Sequence, residues 1–289
     1  MNFFVIPYLL AVDIVVPQGR YDYKPSFEFR VSVNSSATLV NSAGMSTDYR
    51  VDAVMSCTPD PISLWCCFKK DEFTHGQHLL NYSSTTIVPP SGLMSDLTSI
   101  TDEAFLLEFD KTGVKISSCN ETSGRSLRML QSIVDLLNVD IDFDGERRGA
   151  SRLETITVVN DCPVTTKATY RPIGKNTKKP GEGFFKLMSH PDEFDETTEW
   201  ILEVNKTRDI KNCKHFHGYF FGSTGDNDVL HGSKVVSNVT SMVNNIRITN
   251  ENFVSTGYTE GTITSRTMKF IVKDIITVST NLGSVRVPK

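Results

Sequence analysis

Apolar and polar side chains separate most completely between Ser126 and Asn138, SLRMLQSIVDLLN. At the pitch of an α-helix, Leu127, Met129, Leu130, Ile133, Val134, Leu136 and Leu137 share one half of the wheel, and Arg128, Gln131, Ser132, Asp135 and Asn138 share the other. The pattern predicts an amphipathic helix laid on a large apolar surface, with Ser123 and Ser126 offered as amino-terminal caps. Elsewhere the period is two. FEFRVSV puts Phe27, Phe29, Val31 and Val33 on one face and Glu28, Arg30 and Ser32 on the other, the alternation of a half-buried strand. YRVDAVM around Val51 and SLWCCF around Trp65 flank the turn residues Thr58 to Pro61 and predict a hairpin. AFLLEF and VKI, on either side of Asp110 to Gly113, predict a second, with Gly113 free to take positive φ. LETITVV and VTTKATY flank Asn160-Asp161-Cys162-Pro163, and WILEV, GYFFG, NIRI and MKFIVKDIITV read as further strands. The expected fold is mainly β: a curved antiparallel sheet or β-barrel wrapped around one amphipathic helix.

Two stretches break this rhythm. Lys69 to Leu97, with Pro89-Pro90-Ser91-Gly92, reads as a long exposed connection. Arg171 to Glu199, basic in its first half and acidic in its second, reads as an excursion from the sheet. The apolar run from Phe3 to Val16 is too short to span a bilayer and is interrupted by Pro7 and Asp13. It is read as a signal peptide over residues 1–19, leaving 20–289 as one domain; a buried amino-terminal strand is the alternative.

Composition narrows the compartment and the partners. Five Asn-x-Ser/Thr sequons, at Asn34, Asn81, Asn120, Asn205 and Asn238, are glycosylation candidates if the chain is secreted. Six cysteines, Cys57, Cys66, Cys67, Cys119, Cys162 and Cys213, fit an oxidising, extracellular location, and no CxxC pair points to zinc. With 30 basic and 34 acidic residues the net charge is -4, which gives no general attraction to nucleic acid or to an anionic membrane.

Catalytic and metal chemistry find little support. Asp140, Asp142, Asp144 and Gly145 copy the first half of an EF-hand loop, but Ser151 stands where the bidentate Glu belongs and Arg147 and Arg148 oppose calcium. A solvated acidic helix end is the better reading. His215 and His217 lack a third ligand at fixed spacing and read as exposed strand histidines. GxSxG, P-loop and dinucleotide fingerprints are absent from the sequence, so no cofactor or metal is expected and an enzyme is the weaker reading.

Three motifs following the helix change the weighting: ETITVVNDC (Glu154 to Cys162), KTRDIKNC (Lys206 to Cys213) about fifty residues later, and GYFFGSTG (Gly218 to Gly225). With the helix, this series resembles the amino-terminal β-barrel module of the large lipid transfer proteins, and among them the insect vitellogenins, over Tyr21 to about Val287. The resemblance implies a disulfide between Cys162 and Cys213, which in the chain-entropy model adds about 4 kcal/mol. The pairing of Cys57, Cys66, Cys67 and Cys119 is left open; adjacent Cys66 and Cys67 face opposite ways on a strand and should not pair with each other. It also implies a role. Vitellogenins are secreted yolk precursors that carry lipid, and this module is associated with an endocytic receptor of the low-density-lipoprotein receptor type. The acidic, calcium-bearing repeats of such receptors call for a basic complement, for which Lys206, Arg208, Lys211 and Lys214 are the candidates; a merely solvated edge is the alternative. A glycan on Asn205 would crowd that patch.

The sequence also departs from the family. SFEFRVSVNSSATLV stands where a Leu-Thr-Gly-type segment is usual, and Lys289 falls about where the family's long helical domain would begin. A sheet filled by its own helix leaves little room for bulk lipid. The expected function is therefore that of a secreted vitellogenin-like module acting mainly by receptor or partner recognition. The alternatives are a stand-alone receptor-binding or decoy protein without lipid cargo, or a fragment of a longer lipid-carrying yolk precursor.

Overall fold

The structure is a computed structural model that describes residues 12–14, 26–40, 45–60, 63–80, 101, 103–110, 113–119, 124–139, 152–159, 162–175, 185–187, 198–213, 220–221, 236–249, 251–264 and 268–281. Its centre is one antiparallel sheet of 12 strands. The first half is built from β2 (Phe27–Leu39), β3 (Ser46–Asp60), β4 (Ser63–Phe68), β5 (Thr74–Leu80), β6 (Phe105–Asp110) and β7 (Gly113–Cys119). The second half is β8 (Arg152–Val159), β9 (Cys162–Lys175), β11 (Thr198–Arg208), β12 (Val236–Ile248), β13 (Asn252–Thr264) and β14 (Lys269–Asn281). The strands run β7-β6-β4-β3-β2-β14-β13-β12-β11-β9-β8, with β5 on the free half of the β3 edge. The β2–β14 pair joins the two halves, from Phe270 opposite Leu39 to Ser279 opposite Arg30. The sheet curves without closing: β7 and β8 remain its two ends, so the open form of the expected fold is the one adopted. A separate pair joins β1 (Val12–Ile14) to β10 (Phe185–Leu187).

Alternation decides which face is buried. On β2, Phe27, Phe29, Val31, Val33 and Ser35 are buried and Arg30 and Asn34 are exposed. In register with them, Val272, Asp274, Ile276 and Val278 of β14 line the same inner face. The helix α1 (Gly124–Val134), tightening into a 3-10 turn at Asp135–Leu137, lies on that face. Met129, Leu130, Ile133, Val134, Leu136 and Leu137 are all buried in the main core. An isolated helix of this length is marginal in water. Burial of these six side chains, on the order of 10 kcal/mol as an upper bound, is what holds it. Leu127 is the exception, 40% exposed, because it stands at the edge of the apolar arc in the first turns.

Several boundaries differ from the sequence reading. α1 starts two residues earlier than expected, so Ser126 stands inside the helix and not at the cap position, while Ser123 lies outside the described residues. Thr58, Pro59 and Asp60 are paired with Trp65, Leu64 and Ser63, so the β3–β4 connection comes after them. Pro59 is tolerated there because the β2 pairing of β3 ends at Cys57, leaving no β2 neighbour among the described residues that needs its missing N–H. The β6–β7 hairpin is as expected, with Asp110 opposite Gly113. Lys69 to Leu80 contains a 3-10 turn and β5, so this part of the expected connection belongs to the sheet. Residues Arg171–Lys175 and Thr198–Glu199 likewise extend β9 and β11 and are not an excursion. Phe220 and Phe221 of GYFFG are buried outside any strand.

Cys57 is joined to Cys66 across β3 and β4, where they are direct neighbours with Cα atoms 4.1 Å apart. That separation suits a close antiparallel pair. Cys67, on the other face of β4, is a free thiol. Cys119 ends β7 opposite Phe105.

Candidate functional site

The inner face is apolar except for a polar stripe that crosses it beneath the end of the helix. On β11, Leu202 and Val204 point inward, and the same parity turns Lys206 and Arg208 inward after them. Lys206 is opposite Asn244 of β12 on one side and Thr166 of β9 on the other. Ser255 of β13 donates to Asn244 Oδ1 at 3.0 Å. Further along, Ser35, Asp274 and Thr259 lie in register on β2, β14 and β13. The stripe and the helix end enclose a partly open cleft of about 60 Å³, lined by Asp135, Leu136, Lys206, Arg208, Phe221 and Asp274 among others. Such a volume accommodates a few water molecules and falls well short of a pocket for a lipid-sized ligand.

Four polar groups in the cleft have defined partners. The Lys206 ammonium, on a residue only 8% exposed, donates to the Asn138 carbonyl at 3.0 Å and places a cation at the carboxyl end of the helix, where backbone dipoles favour it. Arg208 faces Asp135 at 3.8 Å, and Asp135 also accepts from Gln131 one turn back at 3.0 Å. Asp274 lies within hydrogen-bond distance of the Ser35 hydroxyl and the Phe221 amide. Burial pushes its carboxyl up to about 7, partly offset by those two contacts. Gly257, on β13, leaves room for Leu136: a Cβ there would lie 2.7 Å from Leu136 Cδ2. Gly261 does the same for Phe220, whose Cζ would be 2.6 Å from an added Cβ.

This geometry corrects half of the basic patch. Lys206 and Arg208 serve the helix end from the inside and are withdrawn from the outer surface by strand parity. Lys211, on the 3-10 turn Ile210–Asn212, is exposed; Lys214 lies outside the described residues. The turn is fixed at its end by a Cys162–Cys213 disulfide with Cα atoms 4.2 Å apart. Four other outer cations face acids: Arg171 and Arg247 meet Glu203, Lys167 meets Glu154, and Lys273 meets Glu260. Lys211 has no ion-pair partner among the described residues.

Three sequon asparagines are described. Asn34, Asn205 and Asn238 are all exposed on the outer face, Asn205 on the side of β11 opposite to Lys206. Asn81, Asn120, Asp140, Asp142, Asp144, His215 and His217 lie outside the described residues. Among the described residues no three His, Cys, Asp or Glu side chains gather as metal ligands, and no helix is long and apolar enough to cross a membrane.

Asp274 and the Ser35 contact were not legible as a site, since MKFIVKDIITV shows a charge on a strand without saying what the charge meets. Lys206 and Arg208 did carry a signal, because continuing the Leu202–Val204 alternation places them inside.

Neither the protein-family models nor the curated proteins include a match to this sequence. At the level of fold, a solved structure of lipovitellin concerned with its lipid–protein interactions superposes with a TM-score of 0.53 and 8% identity, over 93% of this chain and 26% of the lipovitellin chain. The chain thus spans about a quarter of the length of that protein, and a lipovitellin-like β fold is what the two share.

Proposed function

We propose that this chain is a secreted, vitellogenin-like module of a lipid-transport or yolk-storage protein, acting through recognition of an endocytic receptor of the low-density-lipoprotein receptor type. The observation that carries the reading is the packing of the inner face among the described residues: the helix covers it, and the cleft at the helix end measures about 60 Å³, which turns attention to the outer face and its rim as what a partner meets. Two disulfides and outward-facing Asn34, Asn205 and Asn238 accord with export and glycosylation. On this reading Lys211, with Lys214 next to the disulfide, supplies the cations for acidic calcium-bearing repeats, and Lys206 and Arg208 keep the turn's supporting strand in place.

The test is to express the chain through a secretory pathway, extract it with organic solvent, and measure phospholipid per protein. Binding to immobilised, calcium-loaded acidic receptor repeats is measured in parallel. The expected result is substoichiometric lipid and binding that EDTA abolishes and that Lys211→Glu with Lys214→Glu weakens at least about tenfold. Stoichiometric lipid without receptor binding would overturn recognition in favour of carriage.

A further inference from the structure

The Asp274 contacts contain a proton-counting problem. Asp274 is 2% exposed. The Ser35 hydroxyl lies 2.5 Å from Asp274 Oδ1 and 2.7 Å from the Phe221 carbonyl, while the Phe221 N–H donates to Asp274 Oδ2 at 2.5 Å. A serine hydroxyl carries one hydrogen, so it cannot donate to a carboxylate and to a carbonyl at once. A neutral acid resolves the count: the Asp274 carboxyl O–H donates to Ser35 Oγ, Ser35 donates to the Phe221 carbonyl, and the Phe221 N–H donates to the other carboxyl oxygen. Each of the three contacts then holds one hydrogen.

The surroundings also disfavour a charge. β13 and β12 bring Thr259, Met242 and Asn244 to the cleft, and β2 sets Ser35 against Asp274, none of these four side chains charged. Among the described residues, the charged groups lining the cleft besides Asp274 are Asp135 from the helix end and Lys206 and Arg208 from β11. Lys206 is engaged by the Asn138 carbonyl and Arg208 faces Asp135.

We propose that Asp274 is held as the neutral acid and that its one proton latches the Phe220–Phe221 segment across β2 and β14, which makes the seating of that segment dependent on pH. The segment matters to the core at both positions. Phe220 packs with Val239 and Val272 over Gly261, and Phe221 belongs to the main cluster beside the helix. Ionisation turns the serine hydrogen from the Phe221 carbonyl to the carboxylate and places a charge on a side chain only 2% exposed.

The direction follows from linkage. Burial raises the folded-state value to about 7 from the ordinary 3.8. The stabilisation is therefore complete below the ordinary carboxylate range and is lost as pH rises through about 7, the reverse of acid unfolding. Carboxyl-detected NMR of the unaltered chain and denaturant unfolding of the wild type and Asp274→Asn at pH 5 and pH 8 test this. Asparagine can donate to Ser35 Oγ and accept from the Phe221 N–H, so it reproduces the neutral acid without titrating. The expected result is an Asp274 carboxyl that titrates near 7 and a wild-type unfolding constant that rises about a hundredfold more than that of the variant between the two pH values. A carboxyl titrating near 4, or parallel stability changes in the two proteins, would overturn the latch. Should Asp274→Asn not fold, the titration of the unaltered chain decides alone.

Discussion

Lys206 and Lys211 stand in one motif and are assigned opposite work, which a pair of methionine substitutions separates. Lys206→Met keeps the aliphatic stem against the inner face and removes only the ammonium. Two terms then compete. The desolvation cost of the cation disappears, which favours the variant, but the Asn138 carbonyl loses its 3.0 Å donor at a helix end covered by the sheet. Losing a hydrogen bond from a charged donor to a buried carbonyl costs about 1.5–3 kcal/mol, and loss of the favourable charge at the helix terminus adds about 0.3–1 kcal/mol. The hydrophobic replacement cannot supply a proton to the carbonyl, so the carbonyl sets the sign. We expect a net loss of about 2 kcal/mol, roughly thirtyfold in the unfolding constant. Lys211→Met, on an exposed turn, should change stability by less than about 0.5 kcal/mol. Urea unfolding at neutral pH measures both, and binding to calcium-loaded acidic repeats completes the comparison. Lys206→Met should bind as the wild type does wherever it is folded; Lys211→Met should bind more weakly at unchanged stability. A Lys206→Met protein as stable as the wild type but impaired in binding would refute the inward assignment.

Two further outcomes follow from the same packing. At Gly261 an added Cβ would lie 2.2 Å from the Asn238 carbonyl oxygen and 2.9 Å from Val239 Cα, backbone atoms of the paired strand that cannot step aside. Gly261→Ala should cost about 3 kcal/mol in denaturant unfolding, against about 1 kcal/mol for Gly257→Ala, whose near neighbour is a movable Leu136 methyl; equal costs would show that these contacts relax alike. The disulfides span 51 and 9 residues, for which the chain-entropy model gives about 4.1 and about 2.6 kcal/mol. Double alanine replacement of Cys162 and Cys213 should therefore destabilise by about 1.5 kcal/mol more than that of Cys57 and Cys66, and the reverse order in thermal or urea unfolding would rule out loop entropy as the main term.

The alternation of Phe27, Phe29, Val31 and Val33, and the apolar arc from Met129 to Leu137, were enough to give a β sheet on a helix, because burial of one face imposes a period that the chain must display. The same logic failed at β13. Its inner face reads Phe253, Ser255, Gly257, Thr259, Gly261, and the glycines are small because Leu136 and Phe220 occupy the space above them. The apolar signal belongs to other segments, so the strand was invisible on its own. The basic motif shows the other limit: adjacent residues of KTRDIKNC point to opposite faces, and local charge density cannot tell an outer patch from cations that hold a helix end. Which cysteine met Cys57 depended on the β3–β4 register, and the neutral Asp274 depended on Ser35 and Phe221 arriving from 239 and 53 residues away. The sequence thus determined periodicity, and with it the layers; only tertiary structure decided who faces whom, because strand register and the fit of a side chain over a glycine are properties of two distant segments together.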